Sequence, residues 1–308
     1  MHLLNHLKSL VYQKSPRFIF QYLTHSGDAI AHLSTYGFSM ILNLDDYAIS
    51  RPILIKGKYE QHVTKVLLEY LTPNIHFLDI GANLGYYSLL VANQCPEAKI
   101  YSFEPDVKNF HLFKSSIIYN KFEEIIQAYP LAIGDENQTI IISNLGNQGN
   151  SGARFTAKTK QDLIPHIHGE NPEFQEISAV SLDTFLPNIT VDVLKIDIEG
   201  YEPFAIRGMM QLLKKNRPII FAEFAPHNLK ILGKTEPKDF LQLFTALDYT
   251  INVIDRQGNV ISYHQNIDDL INYFETLQTH HIDILLLPLL GNREQGTGNR
   301  EQGIGNRE

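Results

Sequence analysis

Short apolar segments that alternate with helical patterns constrain the fold of this chain more than any other feature of its sequence. Segments rich in Val, Ile, Leu and Phe predict strands at residues 75–80, 99–103, 126–133, 191–196, 218–224, 250–255 and 282–287, with a further ribbon strand at 139–143. Apolar residues at helical spacing predict helices at residues 86–93, 107–119, 201–215 and 237–247. Buried strands separated by helices are typical of a mostly parallel sheet. We therefore expect a doubly wound α/β fold with helices on both faces of the sheet.

The regions around this pattern predict three parts in the chain. Residues 1–74 contain a leucine-faced helical pattern at 3–11, a β-like stretch at 38–44 and a second helical pattern, and predict a small N-terminal helical cap on a main domain at 75–290. Residues 291–308 repeat the sequence GNREQGT without an apolar face, which predicts a disordered tail.

One long segment within the main domain departs from the alternation of strands and helices. Residues 143–186 are rich in Gly, Asn, Pro and His. A long insertion of this kind in a compact domain is typical of a lid or a binding loop. We expect it to be irregular and to form the pocket of the substrate.

Composition excludes several classes of protein. The 308 residues include 26 Lys and Arg against 34 Asp and Glu, for a net charge of −8, which argues against a nucleic-acid-binding protein. The one cysteine, Cys95, permits neither an intramolecular disulfide nor a cysteine-rich zinc site. The longest apolar run, at 284–290, is far shorter than the ~20 residues that span a bilayer, and no signal-peptide pattern is present. We expect a cytoplasmic protein; nothing in the sequence specifies an oligomeric state.

The first predicted strand of the main domain ends in a glycine turn. Asp79 lies in this strand, and Gly81 and Gly85 follow in the sequence G-A-N-L-G ahead of a predicted helix. Two glycines permit a tight turn and a close approach of the backbone to a ligand at the helix N terminus. Glu104 ends the next strand, about 20 residues further on, where a carboxylate can accept hydrogen bonds from both ribose hydroxyls. This spacing favours an adenosine ligand over the alternative, a glutamate that merely ends a strand in solvent.

The sequence around the turn also indicates which adenosine ligand is bound. Neither G-x-G-x-x-G nor G-x-x-x-x-G-K-[ST] occurs in the chain, so the usual phosphate-binding turns are missing. The carboxylate of Asp79 would repel a pyrophosphate, but it suits a ligand that carries positive charge. S-adenosylmethionine has a sulfonium centre and an ammonium group, and it is the cofactor that we expect.

Charged residues follow the fourth and fifth predicted strands. Lys195 and Asp197 share one face of the fourth strand because they are two residues apart, and Glu199 follows in the turn. Burial of Lys195 and Asp197 is costly unless the two are paired or used, so they form either a structural ion pair or part of an active site. The fifth strand contributes Glu223 and is followed by His227, and both are expected at the same edge of the sheet.

Taken together, these motifs resemble the FkbM family of S-adenosylmethionine-dependent methyltransferases. The likeness rests on FLDIGANLGYYS, YSFEPD, PLAIGDEN, SLDTFL and DVLKIDIEGYE followed by FAEF, which span roughly half of the chain, from about residue 76 to 225. The resemblance implies a Rossmann-like class I methyltransferase fold with seven strands, the last of them reversed. It also implies O-methylation of a hydroxyl group on a sugar, a glycolipid or a natural product.

The resemblance further implies roles for individual residues. Glu104 would hold the ribose of the cofactor, and Asp197 and Glu199 would face the transferring methyl group and the acceptor. The residues expected to contact the methionine part of the cofactor are Asp79, Gly81, Asn83 and Gly85.

An alcohol is a poor nucleophile, so methyl transfer to a hydroxyl group calls for a carboxylate that orients the acceptor and removes its proton. We expect Asp197 to be this base, with Lys195, Glu199 or Glu223 assisting and His227 as a further candidate. A variant of this mechanism places a divalent cation between Asp197 and Glu223, because oxygen ligands at adjacent strand ends suit Mg²⁺. We predict no metal ligand, and loss of turnover on chelation would reveal one.

Two other functions are compatible with the same sequence pattern. In the first, the chain is a non-catalytic adenosine-binding module whose acids only hold the structure, which the presence of both Asp197 and Glu199 argues against. In the second, the chain is a nicotinamide-dependent oxidoreductase on a similar sheet, which the missing phosphate-binding turn argues against.

Overall fold

The computed structural model describes residues 27–146 and 149–289 of the chain. The helical pattern at 3–11 and the repeat tail at 291–308 lie outside the described residues. The strands are β1 (Asp28–Leu33), β2 (Phe38–Asn43), β3 (His76–Ile80), β4 (Lys99–Phe103), β5 (Ile126–Tyr129), β6 (Ala132–Ile133), β7 (Gln138–Ser143), β8 (Phe155–Ala157), β9 (Phe174–Val180), β10 (Val193–Ile196), β11 (Ile219–Phe224), β12 (Tyr249–Ile254), β13 (Val260–His264) and β14 (Ile282–Pro288).

Helices of very different length connect these strands. They are α1 (Ser50–Lys56), α2 (Gln61–Leu68), α3 (Tyr86–Gln94), α4 (Val107–Asn120), α5 (Lys160–Leu163), α6 (Leu182–Phe185), α7 (Glu202–Gly208), α8 (Met210–Asn216), α9 (Pro226–Ile231), α10 (Pro237–Thr245) and α11 (Ile267–Thr276), with a 3₁₀ turn at Ile164–His166. Asp106 caps α4 through hydrogen bonds from the backbone N–H groups of Lys108 and Asn109.

The largest sheet has eight strands in the order β13-β12-β14-β11-β10-β3-β4-β5. The strands from β11 to β5 are parallel, whereas β14 is antiparallel to both β11 and β12. Chain order reverses between β3 and β10, and ligands of such sheets bind beyond the carboxyl ends of the strands at this point. The expected α/β fold with its last strand reversed is confirmed, and β13 is a second reversed strand. The count of seven strands is wrong, since β13 adds an eighth strand antiparallel to β12.

Apolar side chains alternate between the two faces of this sheet. Phe77 and Val193 pack into one apolar cluster together with α2, α3, α4 and the hairpin of β1 and β2. Leu78 and Leu194 pack into a second cluster, on the opposite face, with α7, α8, α10 and α11. The period of two therefore places Asp79 and Lys195 on the face of the first cluster, near the ends of their strands.

Two predicted elements are each split in the structure, for identifiable reasons. The strand expected at 126–133 ends before Pro130, which has no backbone N–H for the ladder, and continues as β6 in a second sheet. The helix expected at 201–215 is interrupted at Met209. There the backbone of Gly208 packs so closely on Gly134 that a Cβ atom at Gly208 would lie 1.8 Å from the Gly134 carbonyl oxygen.

The expectation of an irregular segment at 143–186 is wrong in part. The segment contains β8 and β9, which join β6 and β7 in a four-stranded sheet of order β6-β9-β7-β8. Ile177 and Ala179 alternate with more exposed residues along β9 and fill the small core of this sheet. The expectation of a helical cap is also incomplete, because the described part of residues 1–74 opens with the antiparallel hairpin of β1 and β2 before α1 and α2.

Candidate active site

The turn after β3 and the exit of β10 meet at the point where chain order reverses. Gly81 has a φ of +81°, and a Cβ atom there would lie 2.0 Å from the carbonyl oxygen of Asp197. The backbone N–H of Asp197 donates to the carbonyl oxygen of Ile80 at 3.0 Å. Only a residue without a side chain fits here, so the glycine brings the two strand ends into direct contact.

Glycine is required at position 85 for a different reason. It has a φ of +83° at the N cap of α3, and a Cβ atom there would lie 1.9 Å from the Phe113 ring of α4. Gly85 does not line the cavity described below. The structure thus accounts for this glycine by the packing of α3 on α4.

Glu104 is buried beside the glycine turn, with 5% of its surface exposed. One carboxylate oxygen accepts a hydrogen bond from the backbone N–H of Asn83 at 2.7 Å, and the other from the backbone N–H of Asp106 at 2.8 Å. Burial raises the pKa of Glu104 to about 8, against the lowering effect of these hydrogen bonds. When Glu104 is ionised, the second lone pair of each oxygen is available to a ligand with two hydroxyl groups.

The inserted segment reaches the site on the side of Glu104. The carbonyl oxygen of Ser151 accepts hydrogen bonds from the side-chain amides of Asn83 and Asn109, both at 3.0 Å. The hydroxyl of Ser151 donates to Asp46 at 2.6 Å. Within the described part of the chain, the side-chain oxygen of Asn83 is buried without a hydrogen-bond partner.

Lys195 lies deep in the site, on β10. Its Nζ donates to Oδ2 of Asp197 at 2.8 Å and lies 5.3 Å from the centre of the Tyr87 ring. Burial lowers the pKa of Lys195, but the nearby carboxylates of Asp197 and Glu60 outweigh this and raise it above its ordinary value. The ammonium group therefore stays charged and holds the Asp197 carboxylate in place.

Asp79 is the register partner of Lys195 on the neighbouring strand β3. It is 1% exposed and accepts a hydrogen bond from the hydroxyl of Ser88 on α3 at 2.5 Å. Burial raises the pKa of Asp79 to about 6, although Ser88 and Lys195 lower it. Asp79 thus ties β3 to α3 at the base of the site.

Glu199 and Glu223 flank Asp197 at the same edge. Glu199 has a φ of +56° and accepts a hydrogen bond from the side-chain amide of Asn228 at 3.2 Å. Burial, and then the charge of Asp197, raises the pKa of Glu199 to about 8. Glu223 lies 3.3 Å from Nδ1 of His281, and burial followed by the charges of Asp197 and Glu199 raises its pKa well above the usual range.

A single cavity of about 260 Å³ connects these groups. The residues named in the sequence analysis that line it are Asp79, Gly81, Asn83, Glu104, Lys195, Asp197, Glu199 and Glu223. His227 is exposed and does not line the cavity. The structure thus brings together all of the predicted site residues except Gly85 and His227.

Several residues of this site were missed in the sequence analysis. Glu60, at the N cap of α2, accepts a hydrogen bond from the Tyr87 hydroxyl at 2.6 Å. Glu202 is 1% exposed and accepts a hydrogen bond from the backbone N–H of Ile198 at 2.9 Å. His281 directly precedes β14, and its Nδ1 lies 3.3 Å from a carboxylate oxygen of Glu223. Tyr87 and Glu202 stand within the quoted motifs, whereas no sequence pattern marks Glu60 or His281.

Two features are absent from residues 27–146 and 149–289 of the protein. No group of three or more His, Cys, Asp or Glu residues is arranged to hold a metal ion. None of the helices in this part of the chain combines the length and apolarity needed to traverse a bilayer. The cytoplasmic location stays a prediction.

The strand order, the glycine turn after β3 and the acid after β4 define a Rossmann-like domain of the class I methyltransferase type. The sequence profile of the methyltransferase FkbM domain matches residues 79–275, more than half of the chain. The chain therefore belongs to the FkbM methyltransferase family, as the resemblance implied.

Two curated relatives of the chain are named as methyltransferases. Methyltransferase 1 of Beauveria bassiana (strain ARSEF 2860) is 28% identical over 149 residues, which cover 44% of this chain and 59% of that protein. Methyltransferase sdnD of Sordaria araneosa is 24% identical over 190 residues, which cover 54% of this chain and 73% of that protein. The chain thus spans less than two thirds of the length of the first relative.

Solved structures of methyltransferases are also similar to this chain. Methyltransferase FkbM from Methylobacillus flagellatus KT has a TM-score of 0.43 and 13% identity, and the match covers 70% of this chain and 44% of that one. The O-methyltransferase TomG from Streptomyces achromogenes, solved in complex with SAM, has a TM-score of 0.40 and 11% identity, with 75% and 81% covered.

Proposed function

We propose that this protein transfers a methyl group from S-adenosylmethionine to a hydroxyl group of a sugar, a glycolipid or another natural product. One observation carries the proposal. A single cavity has Glu104, held by the glycine turn, in one part of its wall and the Lys195–Asp197 pair in another. A nucleoside-binding acid and a paired carboxylate thus face the same space, as a transfer reaction between two substrates requires.

The residues of the cavity fit this cofactor in three respects. Glu104 offers an acceptor at each carboxylate oxygen for the ribose hydroxyls, and the absence of a side chain at Gly81 lets backbone line the space between β3 and β10. The unpartnered side-chain oxygen of Asn83 suits the ammonium group. Six acidic side chains line the cavity, against Lys195 and Arg154 as its basic ones, which favours a ligand with positive charge.

The cofactor supplies an electrophilic methyl group, so the protein mainly has to position the acceptor and take up its proton. We assign that role to Asp197, whose side chain is 31% exposed and lines the cavity. Lys195 donates a hydrogen bond to Asp197, which fixes the position of the carboxylate and compensates its charge. A carboxylate within hydrogen-bond reach of the acceptor hydroxyl orients the oxygen and accepts its proton as the new bond forms.

Glu199 and Glu223 have a supporting role in this proposal. Burial raises the pKa of Glu199 to about 8, so this group can donate a hydrogen bond to an acceptor oxygen near neutral pH, and burial also raises the pKa of Glu223 and so favours its protonated form. His227 is too exposed and lies outside the cavity wall, and we assign it no role.

The variant with a divalent cation between Asp197 and Glu223 is tested separately. Turnover is measured before and after treatment with EDTA, followed by dialysis and by re-addition of Mg²⁺. Full activity after chelation supports the carboxylate mechanism, whereas loss that Mg²⁺ restores would assign the metal-dependent one.

The function itself is tested by mass spectrometry of cell extracts incubated with S-adenosylmethionine and the full chain. We expect a compound whose mass increases by one CH₂ group, and we expect Asp197→Asn to abolish the increase. Asp239→Asn, an exposed carboxylate on α10, serves as the matched control and keeps the activity. Calorimetry with S-adenosylmethionine and S-adenosylhomocysteine tests cofactor binding without an acceptor. Heat with neither ligand would contradict the proposal, and binding without any transfer would favour the non-catalytic module.

A further inference from the structure

Glu60 is a cavity residue that lies outside the segment matched by the family profile, residues 79–275. It immediately precedes α2, with a φ of 34° and a ψ of 59°. This left-handed conformation is uncommon for a residue other than glycine and persists where the surroundings hold it. The conformation places the Glu60 side chain at the wall of the cavity instead of in solvent.

A short chain of contacts connects Glu60 to the proposed base. Oε2 of Glu60 accepts a hydrogen bond from the Tyr87 hydroxyl at 2.6 Å, and the Tyr87 ring lies 5.3 Å from Nζ of Lys195. Nζ of Lys195 donates in turn to Asp197 at 2.8 Å. Glu60 therefore belongs to the part of the cavity around Lys195 and Asp197, where we place methyl transfer.

Burial and the neighbouring carboxylates disfavour the ionised form of Glu60, which a nearby cation would stabilise. Burial raises the pKa of Glu60, Lys195 lowers it, and the charges of Asp283 and Asp197 raise it again, with a net increase. Lys195 already serves Asp197 through a direct hydrogen bond. A further positive charge in the cavity would therefore favour the ionised form of Glu60 and be attracted to it.

We infer that Glu60 makes this site discriminate between the positively charged sulfonium cofactor and its neutral thioether product. The inference rests on the proposed function and deepens it. S-adenosylmethionine and S-adenosylhomocysteine share adenosine, carboxylate and ammonium groups, but only the former carries a charge on sulfur. A carboxylate near the sulfur position attracts the cofactor and gains nothing from the product. Glu60 thus strengthens cofactor binding and helps the product to leave after each turnover.

The test compares the affinities of both ligands for the full chain by calorimetry at pH 8. In Glu60→Gln we expect S-adenosylmethionine to bind roughly tenfold more weakly, as loss of one charge–charge interaction in a partly buried site predicts, and S-adenosylhomocysteine to bind within about twofold of the original affinity. Glu69→Gln, an exposed glutamate at the end of the same helix, is the matched control and leaves both affinities unchanged. Glu60→Asp retains the charge and should restore most of the preference.

The ratio of the two affinities separates recognition from a structural role. If both ligands bind more weakly by the same factor in Glu60→Gln, the ratio of their affinities is unchanged. This result would show that the residue only holds the fold, and it would overturn the inference. Thermal unfolding of each variant without ligand establishes that the protein is folded. If the unaltered chain binds neither ligand, the proposed function fails as well, whereas normal binding with an unchanged ratio in Glu60→Gln removes the inference alone.

Discussion

Nζ of Lys195 lies 2.8 Å from Oδ2 of Asp197, and the two side chains differ sharply in exposure, at 4% and 31%. The lysine is enclosed by the sheet, α3 and the segment before α2, whereas the aspartate reaches the cavity. The pair therefore connects the interior of the protein to the proposed site of methyl transfer. Lys195, the buried partner, provides a positive charge that stabilises the carboxylates of the cavity wall.

Removal of this buried charge should destabilise the protein. In Lys195→Gln, Asp197 and the buried Asp79 lose the cation beside them, and we expect the free energy of unfolding to fall by about 3 kcal/mol. Denaturation in urea at pH 7 measures the effect. Lys214→Gln, on the exposed face of α8, is the control and should change stability by less than about 0.5 kcal/mol. Equal stability of the two variants would contradict a stabilising role for the ion pair.

Glu104 should make the free energy of unfolding fall as the pH rises from 4.5 to about 8. Its pKa rises from 4.5 to about 8 on folding, so the folded protein keeps a proton that the unfolded chain releases above about pH 4.5. The contribution of this group to stability is therefore complete below pH 4.5 and is lost as the pH rises towards 8. We expect Glu104→Gln to have a flatter dependence of unfolding free energy on pH between these limits.

The slope, and not the absolute stability, is the quantity to compare in this experiment, because Glu104→Gln also disturbs two backbone hydrogen bonds. Glu97→Gln, an exposed glutamate in the loop before β4, should keep the slope of the unaltered chain. Parallel curves for all three proteins would mean that Glu104 is ionised in the folded state throughout this range.

Binding of the cofactor should release protons near neutral pH. Burial and the charge of Asp197 raise the pKa of Glu199 to about 8, so this group is largely protonated at pH 7. A cation in the cavity favours the ionised carboxylate and lowers this pKa, and the affinity for S-adenosylmethionine should therefore rise between pH 6 and pH 8.

Calorimetry at pH 7 in phosphate and in Tris measures the protons released, since the two buffers differ in ionisation enthalpy. We expect Glu199→Gln to release fewer protons than the unaltered chain. An apparent enthalpy that is identical in both buffers would show that no carboxyl group changes its charge on binding.

Two glycines with nearly the same φ allow steric contact to be separated from backbone strain. Gly27 has a φ of +84°, and a Cβ atom there would have no atom of residues 27–146 or 149–289 within 4 Å, whereas Gly81 has a φ of +81° and faces the Asp197 carbonyl oxygen at 2.0 Å. Gly27→Ala should cost at most about 1–2 kcal/mol, the penalty for the left-handed conformation. Gly81→Ala should cost clearly more and should also abolish cofactor binding, because the two strand ends must move apart. Similar unfolding midpoints for the two variants would refute this account.

Much of the fold follows from local patterns in the sequence. β4 spans the predicted residues 99–103, and α3 and α4 differ from their predicted ends by one residue each, because apolar periodicity and the Asp106 cap act over a few neighbouring positions. The glycine turn and Glu104 were identifiable for the same reason, since their spacing along the chain reflects a strand, a turn and a helix of standard length. Where a single residue interrupts a pattern, as Pro130 does between β5 and β6, the sequence held the information and the prediction missed it.

Other features depend on residues that are far apart in the chain. β9 is recognisable only through its pairing with β7, and β13 only through its pairing with β12, since neither has a strong pattern of its own. Glu60, which directly precedes α2, reaches the cavity because this part of the chain packs on α3, where Tyr87 binds it. His281 contacts Glu223 because β14 pairs with β11. The class of fold, the glycine turn and the acids at the strand ends could all be predicted from local patterns along the chain. Which side chains share one cavity, and how far their pKa values shift, could not be predicted in this way, because burial and charge depend on neighbours from every part of the chain.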